Sequence, residues 1–212
     1  MDVVRACSLK VGAAMAFVVA AIGFTGCNRG PAAIPVPYVD PAVASQQALE
    51  MYDQNGDGQL SPAELAACPG MMGHLAIYDM DKSGSISREE IEERISLLRQ
   101  SRTGLTSLRI RVRMNGKPLP GARVKLIPEK YLGDEVKTAW GTTNGRGSAT
   151  MDIKDEDLSA TEQGIIGVHY GTYRIEVTHP SLSIPAKYNS QTTLGYETQQ
   201  GNPNFTVDLR SG

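Results

Sequence analysis

The stretch DQNGDGQLSPAE, residues 53–64, decides how the first half of this 212-residue chain folds. Asp53, Asn55 and Asp57 place oxygen-bearing side chains at alternate positions, and Gly58 follows them directly. Glu64 adds a carboxylate at the twelfth position of the stretch. Oxygen donors at this spacing, around a glycine that permits a sharp turn, suit a hard cation such as Ca²⁺. The stretch therefore predicts an ion-binding loop between two helices.

A second copy of this loop, DMDKSGSISREE, occupies residues 79–90. The two copies align from Asp53 onto Asp79, and the match includes the glycine, the final glutamate and flanking apolar positions. Leu60 of the first loop corresponds to Ile86 of the second. We expect these two residues to face each other in a short two-stranded pairing, so that both loops fold as one unit.

The two loops resemble EF-hands, and the resemblance covers residues 40–102. It implies that the chain binds two Ca²⁺ ions, one in each loop. The ligands it implies in the first loop are Asp53, Asn55, Asp57, Gln59, Ser61 and Glu64. Those it implies in the second loop are Asp79, Asp81, Ser83, Ser85, Ser87 and Glu90. Ser61 with Glu64, and Ser87 with Glu90, also form capping boxes for the following helices, but capping alone requires no acidic triplet.

The flanking sequence predicts the helices of this pair. Asp40 followed by Pro41 indicates a helix start, and Pro69-Gly70 interrupts the segment between the loops, so the linking helices must be short. An apolar face on the last helix, formed by Ile91, Ile95 and Leu98, is expected to pack on the first helix. Cys68, near the end of a short helix, is expected to be a small buried apolar residue.

Two roles for the ions are open. A calcium sensor exposes a methionine-rich groove when it is loaded, whereas an extracellular module of low affinity stays loaded and is stabilised by its ions. The compartment predicted below favours the second role, a structural or binding module. The alternative is a calcium-dependent protein-assembly module, because the short linking helices also resemble dockerins.

The first 27 residues predict export. Arg5 and Lys10 precede residues 11–24, an uncharged apolar run that is too short to span a bilayer comfortably. Small residues before Cys27 resemble the lipobox of bacterial lipoproteins, which implies lipidation of Cys27 after removal of residues 1–26. Ordinary signal cleavage, with Cys27 left as a free thiol, and an uncleaved anchor are the alternatives.

Residues 27–39 then predict a proline-rich stalk, because Pro31, Pro35 and Pro37 favour extended polyproline II structure. The expected location is the cell envelope, with a lipid anchor in the outer membrane, on its periplasmic side or at the surface. The membrane is thus one partner, and an envelope protein or a glycan is another possible partner. A net charge of -2 with no basic run excludes nucleic acid as an expected partner.

Beyond Thr103 the hydrophobic period changes to two. Leu108, Ile110 and Val112 alternate with arginines, and the same alternation occurs around Ile175 and around Val207. Asn115-Gly116 and residues 144–147 predict turns between strands. This half of the chain is therefore expected to be all-β.

The order and spacing of these strands and turns resemble transthyretin-like, carboxypeptidase regulatory-like β-sandwich domains. The implied fold class is α+β with several domains: an EF-hand pair at residues 40–103 and a transthyretin-like sandwich at residues 105–212. No enzymatic activity is expected. The histidine patterns of the catalytic relatives are missing, and His169 and His179 are expected to be structural or solvent-facing residues.

Overall fold

The helical region follows the repeat found in the sequence. A computed structural model describes residues 34–100, 103–198, 201 and 203–211. Its helices are α1 (Pro41–Tyr52), α2 (Pro62–Leu65), α3 (Pro69–Met72), α4 (Leu75–Tyr78) and α5 (Arg88–Arg99), with the short strands β1 (Gln59–Leu60) and β2 (Ile86–Ser87). We call residues 40–100 the helical region. The linking helices α2, α3 and α4 are short, as predicted, with four residues each.

Local sequence explains where α1 begins and how it packs. The Asp40 carboxylate accepts hydrogen bonds from the backbone N–H groups of Ala42 and Val43, at 3.0 and 3.1 Å, so it satisfies donors that have no partner inside the helix. α1 packs against α5. The predicted apolar face of α5 is confirmed by Ile91 and Ile95, which are buried.

The two loops are joined as predicted. β1 and β2 pair antiparallel, with Leu60 opposite Ile86, and both side chains are fully buried. Cys68 is also fully buried and is a free thiol, which confirms its prediction as a small core residue.

Residues 34–39 contain no helix or strand, in agreement with their proline content. Val39 is buried and Ile34 packs against the core, so this end of the predicted stalk lies on the folded part. Residues 27–33 of the predicted stalk, with Cys27 and the predicted signal, lie outside the described residues. Among the helices that the structure describes, none has the length and apolar character needed to cross a membrane.

The second part of the chain is rich in β-strands, and we call residues 105–209 the β region. Its longer strands are β4 (Arg109–Met114), β6 (Arg123–Pro128), β7 (Ala139–Thr142), β11 (Thr172–Thr178) and β13 (Asn204–Leu209). Its shorter strands are β3 (Leu105–Thr106), β5 (Lys117–Pro118), β8 (Ser148–Thr150), β9 (Asp152–Ile153), β10 (Val168–His169) and β12 (Gly195–Glu197). Short 3-10 helices lie at Lys130–Leu132, Asp155–Asp157 and Ala186–Tyr188.

These strands form two larger sheets. One sheet has the strand order β12-β11-β6-β7-β9, and all of its pairings are antiparallel. The other contains β13, β4 and β5, with β8 also paired to β4, and β13 runs parallel to β4. A separate pair joins β3 to β10. The predicted alternation in β4 is confirmed, because Ile110 and Val112 are buried while Arg109 and Arg111 are exposed. The predicted turn is also found, with positive φ at Asn115 and Gly116.

The helical region packs directly on the five-stranded sheet. The described residues belong to one compact unit, and the buried residues of both regions belong to one apolar cluster. α3 lies against β11 and β12. The approach is close at Gly195, where an added Cβ atom would lie 1.7 Å from the carbonyl oxygen of Pro69. The contact therefore requires a residue without a side chain at this point of β12.

Candidate metal centre

Each ion-binding loop begins where a helix ends. Asp53 is the C-cap residue of α1, and Asp79 is the C-cap residue of α4. Each of these first-position carboxylates accepts two backbone N–H groups of its own loop. Asp53 accepts from Gly56 at 2.7 Å and from Gly58 at 2.9 Å, while Asp79 accepts from Ser83 and Gly84, both at 2.9 Å. The loop backbone thus curls around the first carboxylate in both copies.

The curl depends on left-handed backbone at two positions of each loop. Gly58 and Gly84, the sixth residues, have φ of +82° and +89°. At the fourth position the loops differ, because Gly56 has φ of 74° and Lys82 has φ of 62°. Glycine adopts this conformation without steric cost, whereas lysine does not. The second loop therefore carries a strain that the first one lacks.

The twelfth-position glutamates connect the end of each loop to its beginning. One oxygen of Glu64 accepts hydrogen bonds from the Ser61 N–H at 2.8 Å and the Ser61 hydroxyl at 2.6 Å. Its other oxygen accepts from the backbone N–H groups of Gln54 and Asn55, at 2.9 and 3.3 Å. Glu90 repeats this arrangement with Ser87, Met80 and Asp81. Both capping boxes predicted from the sequence are present.

Hydrogen bonds within the loops favour the ionised form of one carboxylate in each loop. The hydroxyl and N–H groups of Ser61 hold the pKa of Glu64 at about 2, well below its ordinary value. In the second loop the Ser83 hydroxyl and N–H lower the pKa of Asp81. Negative charge is therefore available in both loops at neutral pH.

The second loop gathers its carboxylates most closely. Asp79, Asp81 and Glu90 each offer an oxygen, and these oxygens lie within 4.8 Å of one another, a distance at which one ion can touch all of them. In the first loop, the Asn55 amide group donates to Asp57 at 2.9 Å, and its oxygen accepts the Asp57 N–H at 2.8 Å. The first loop thus also has three carboxylates, but its third position is the amide of Asn55 and its fifth is Asp57, where the second loop has Asp81 and Ser83.

The remaining predicted ligands are the polar residues at the fifth, seventh and ninth positions. The ninth-position serines, Ser61 and Ser87, donate their hydroxyls to the glutamates of their capping boxes. At the seventh positions, the Ser85 hydroxyl donates to the side-chain oxygen of Gln59, which links one loop to the other. The Ser83 hydroxyl donates to the Ser85 carbonyl at 3.2 Å. All twelve predicted positions therefore lie in the two adjacent loops.

Sequence reasoning missed the residues that join these loops to the β region. Tyr78 directly precedes Asp79, and its buried hydroxyl lies 3.2 Å from that of Tyr131, which also bonds to Thr172. Tyr52, which directly precedes Asp53, is buried beside Cys68. The repeat of tyrosine before each loop was visible in the sequence. The partner of Tyr78 was not, because Tyr131 lies more than fifty residues further along the chain.

Two buried carboxylates extend this junction. Glu129 is fully buried, and its Oε1 accepts the Gly70 N–H of α3 at 2.9 Å. Burial raises the pKa of Glu129. Arg94 of α5 donates from Nε to both oxygens of the fully buried Glu197, at 3.0 and 3.2 Å. The helix that leaves the second loop is thus fixed to β12.

Comparison with protein families agrees with this geometry. Residues 46–69 and 75–96 match the family described as EF hand. No curated protein and no solved structure matches the chain. The match includes both loops and most of their flanking helices, and it suggests calcium binding. Residues 41–99 are therefore an EF-hand region, followed along the chain by a region rich in antiparallel β-sheet.

Proposed function

We propose that each loop binds one Ca²⁺ ion and that the bound ions stabilise the helical region in the form that packs on the β region. The observation that best supports this proposal is the position of Tyr52 and Tyr78. Each tyrosine is buried and directly precedes the first predicted ligand of its loop. The conformation of both loops is therefore coupled to buried contacts of the core.

The residues of the second loop fit such an ion. Three carboxylates within 4.8 Å of one another repel each other, by about 1 kcal/mol per pair even at the dielectric constant of water. Bound Ca²⁺ supplies the positive charge that offsets this repulsion. Asp79 and Glu90 each accept hydrogen bonds from backbone N–H groups, and these bonds keep the carboxylates in place. Oxygen donors alone are what Ca²⁺ prefers.

A structural role fits better than a signalling role. A sensor EF-hand pair opens on loading and exposes an apolar groove to a partner. Here opening would separate Tyr78 from Tyr131 and Arg94 from Glu197. Both tyrosines and Glu197 are buried, and Arg94 is partly buried. The surface that a sensor would offer to a separate partner is therefore covered by the β region of the same chain.

The ions need not bind tightly to matter. Extracellular EF-hand modules have dissociation constants of about 10⁻⁴ to 10⁻³ M. At roughly 1 mM free Ca²⁺, such a site adds about 0.4 to 1.4 kcal/mol to the free energy of unfolding. Two sites then contribute a sizeable part of a typical domain's stability.

Calorimetric titration of the chain without residues 1–27 tests the proposal. We expect saturation at two Ca²⁺ ions with dissociation constants in the range given above. Asp53→Asn and Asp79→Asn should each remove one site, because each takes a charged ligand from one loop. Asp208→Asn, which removes the same charge at an exposed position of β13, is the matched control and should bind two ions.

Limited proteolysis distinguishes the structural role from simple binding. In chelator the helical region should be cleaved much faster than in Ca²⁺. Equal cleavage in both conditions would leave two binding sites without a structural role. If calorimetric titration detects no Ca²⁺ binding, the proposal is wrong.

We further propose that the chain is an exported lipoprotein of the cell envelope, anchored through Cys27, whose β region is a transthyretin-like sandwich. Support for the anchor comes from the sequence alone. Support for the fold comes from the two larger sheets and the alternation of buried residues in their strands. Mass spectrometry of the membrane fraction should find Cys27 at the N-terminus, carrying acyl chains.

The proposed role is not catalytic. His169 is buried between the Glu162 carboxylate, 3.1 Å from Nε2, and the Lys137 N–H, 3.2 Å from Nδ1. The Nε2 atom of His179 lies 3.0 Å from the Pro120 carbonyl oxygen, and its Nδ1 accepts backbone N–H groups. Both rings are engaged through both nitrogens, which supports their expected structural roles.

A dockerin-like assembly module is the second candidate. The second loop is entered by α4, which has only four residues and resembles a dockerin in this respect, whereas the first loop is entered by the full helix α1 of twelve residues. In addition, the helical region exposes the apolar side chains of Met51, Met72, Ile77 and Met80. This candidate predicts Ca²⁺-dependent binding of one envelope protein to the full folded chain. Ile77→Asp should abolish that binding, whereas Leu182→Asp, at an exposed apolar residue of the β region, should not.

A further inference from the structure

The outer face of the five-stranded sheet carries a cavity that the calcium site does not use. Its volume is about 460 Å³, within the range of small-molecule sites. The side chains of β6, β7 and β11 that line it are Arg123, Lys125, Trp140, Thr142, Glu176 and Thr178. On the other face of the same strands, residues such as Val124, Leu126 and Ile175 are buried in the core. The cavity therefore lies on the solvent side of a rigid scaffold.

Strand register arranges this face in a row. Lys125 is opposite Glu176 on one side and Trp140 on the other, and Trp140 is opposite Asp152 of β9. With neighbouring strands about 4.8 Å apart, four such side chains span about 14 Å. The row is thus long enough for an extended ligand of several units. A second row, of Thr178, Arg123 and Thr142, runs beside it.

The lining of the cavity combines an aromatic ring with a net positive charge, because it holds Arg123 and Lys125 against the single carboxylate of Glu176. Trp140 is 41% exposed, although large apolar side chains are usually covered. The Lys125 ammonium lies 4.8 Å from the centroid of its ring, and the Lys154 ammonium lies 5.8 Å from it. Lys154 also pairs with Glu156 at 3.0 Å, so Lys125 and Arg123 are the main cations that face the cavity.

We propose that this face binds an acidic oligosaccharide, a chain of sugars that includes uronic acid units. The flat apolar face of the indole stacks on a sugar ring, and Lys125 and Arg123 pair with the sugar carboxylates. The threonine hydroxyls and the Glu176 carboxylate hydrogen-bond to sugar hydroxyls. The site is independent of calcium binding and of the function proposed above.

Other ligands fit this face less well. A nucleic acid carries a phosphate on every unit and is held by neutralising several of them in succession, whereas this cavity offers two cations, Arg123 and Lys125, beside the Glu176 carboxylate. A protein partner requires an apolar centre at its interface. Here Trp140 is the one large apolar side chain that lines the cavity with exposed surface. The mixture of one aromatic ring, hydroxyls and both charges matches a charged carbohydrate.

The chain reports on this site directly, because Trp140 is its single tryptophan. A hyaluronan hexasaccharide, added to the chain without residues 1–27, should change the tryptophan emission in a saturable way. Maltohexaose, which is neutral, should bind at least tenfold more weakly. A thymidine hexanucleotide should also bind at least tenfold more weakly than the acidic sugar.

Two charge-reversal variants make the comparison specific. Lys125→Glu should weaken hyaluronan binding at least tenfold. Lys187→Glu is the matched control, since Lys187 also lies over an aromatic ring, at 5.1 Å from the centroid of Tyr188, but outside this cavity. Trp140→Ala, measured by calorimetry, should abolish binding while the far-ultraviolet circular dichroism is retained.

Three results overturn the proposal. The first is no saturable emission change with the hyaluronan hexasaccharide. The second is equal binding by the Lys125→Glu variant and the unaltered chain, because the cations would then have no role. The third is tighter binding of the hexanucleotide, which would identify a nucleic-acid site instead.

Discussion

The hydroxyl of Tyr78 lies 3.2 Å from the hydroxyl of Tyr131, so the residue before the first ligand position of the second loop is bonded to the β region. Both side chains are fully buried. The conformation of the loop and the packing of the two regions are therefore joined through one covalent step, from Tyr78 to Asp79. Calcium binding and core stability should respond together when this contact is changed.

Tyr78→Phe tests this link. The variant removes one buried hydroxyl, while Tyr131 keeps Thr172 as a partner. We expect a loss of about 0.5–1.5 kcal/mol in the free energy of unfolding, with weaker binding of Ca²⁺ to the second loop. Urea denaturation and calorimetry measure the two effects. Tyr38→Phe, at an exposed tyrosine bonded to Asp40, should change neither quantity.

Gly195→Ala should separate the helical region from the sheet. The added Cβ atom would lie 1.7 Å from the Pro69 carbonyl oxygen and 2.8 Å from the Gly70 Cα atom, and both are backbone atoms that cannot rotate away. We expect a loss of about 2 kcal/mol or more, as for overpacking in a core. Protease sensitivity of the helical region should also increase, even in saturating Ca²⁺.

Gly145→Ala is the control for this substitution. Nothing lies within 4 Å of a Cβ atom added at Gly145, so its stability should stay close to that of the unaltered chain. Equal stability of the two alanine variants would show that α3 does not rest on β12 as described.

Lys82→Gly should stabilise the second loop. Lys82 has φ of 62° at the position where the first loop has a glycine, and a left-handed backbone is costly for a residue with a side chain. Removing the side chain should raise the free energy of unfolding by about 0.5–1 kcal/mol, after the entropy of the added glycine is subtracted. Gly56→Lys should have the opposite effect. Thermal denaturation in chelator measures both without a contribution from the ion.

His169 should make stability depend on pH near neutrality. Its Nδ1 accepts the Lys137 N–H, so Nε2 carries the proton and donates to Glu162. Burial lowers the pKa of His169 below its ordinary value of 6.5, so the unfolded chain takes up a proton first as the pH falls. The contribution of the neutral ring is complete above about pH 6.5 and decreases as the pH falls below it, by at most about 1.4 kcal/mol per pH unit.

Urea denaturation between about pH 7.5 and 5 measures this dependence by comparing the unaltered chain with its histidine variants, because the raised pKa of the buried Glu129 acts in the opposite direction in both. His169→Asn should flatten the curve in this interval. His179→Asn is the comparison variant and should leave it unchanged, because His179 is only partly buried. An unchanged slope in the His169 variant would mean that another group is responsible.

Much of the helical region was predictable because its interactions are local. Both capping boxes, the Asp40 cap and the pairing of Leu60 with Ile86 all involve residues that are close in the sequence or related by the repeat. The alternation in β4 was predictable for the same reason, since a period of two appears in any half-buried strand.

The junction between the two regions was not predictable in this way. Gly70 and Glu129, or Arg94 and Glu197, meet only because the chain folds back on itself. Buried carboxylates such as Glu129 and Glu197 are also rare, so sequence composition favours placing them at the surface. Strand register across the outer sheet face, which sets Lys125 beside Trp140, requires the same tertiary information.

The parallel pairing of β13 with β4 has a consequence for how the chain acquires its structure. β4 is followed by about ninety residues before its neighbour β13 is made, and contacts between residues so distant in sequence form slowly. A chain still on the ribosome has one edge of β4 unpaired until residues 204–209 emerge. Such an edge is open to pairing with other chains. The three arginines of β4 give that temporary edge a positive charge, which disfavours association between nascent copies.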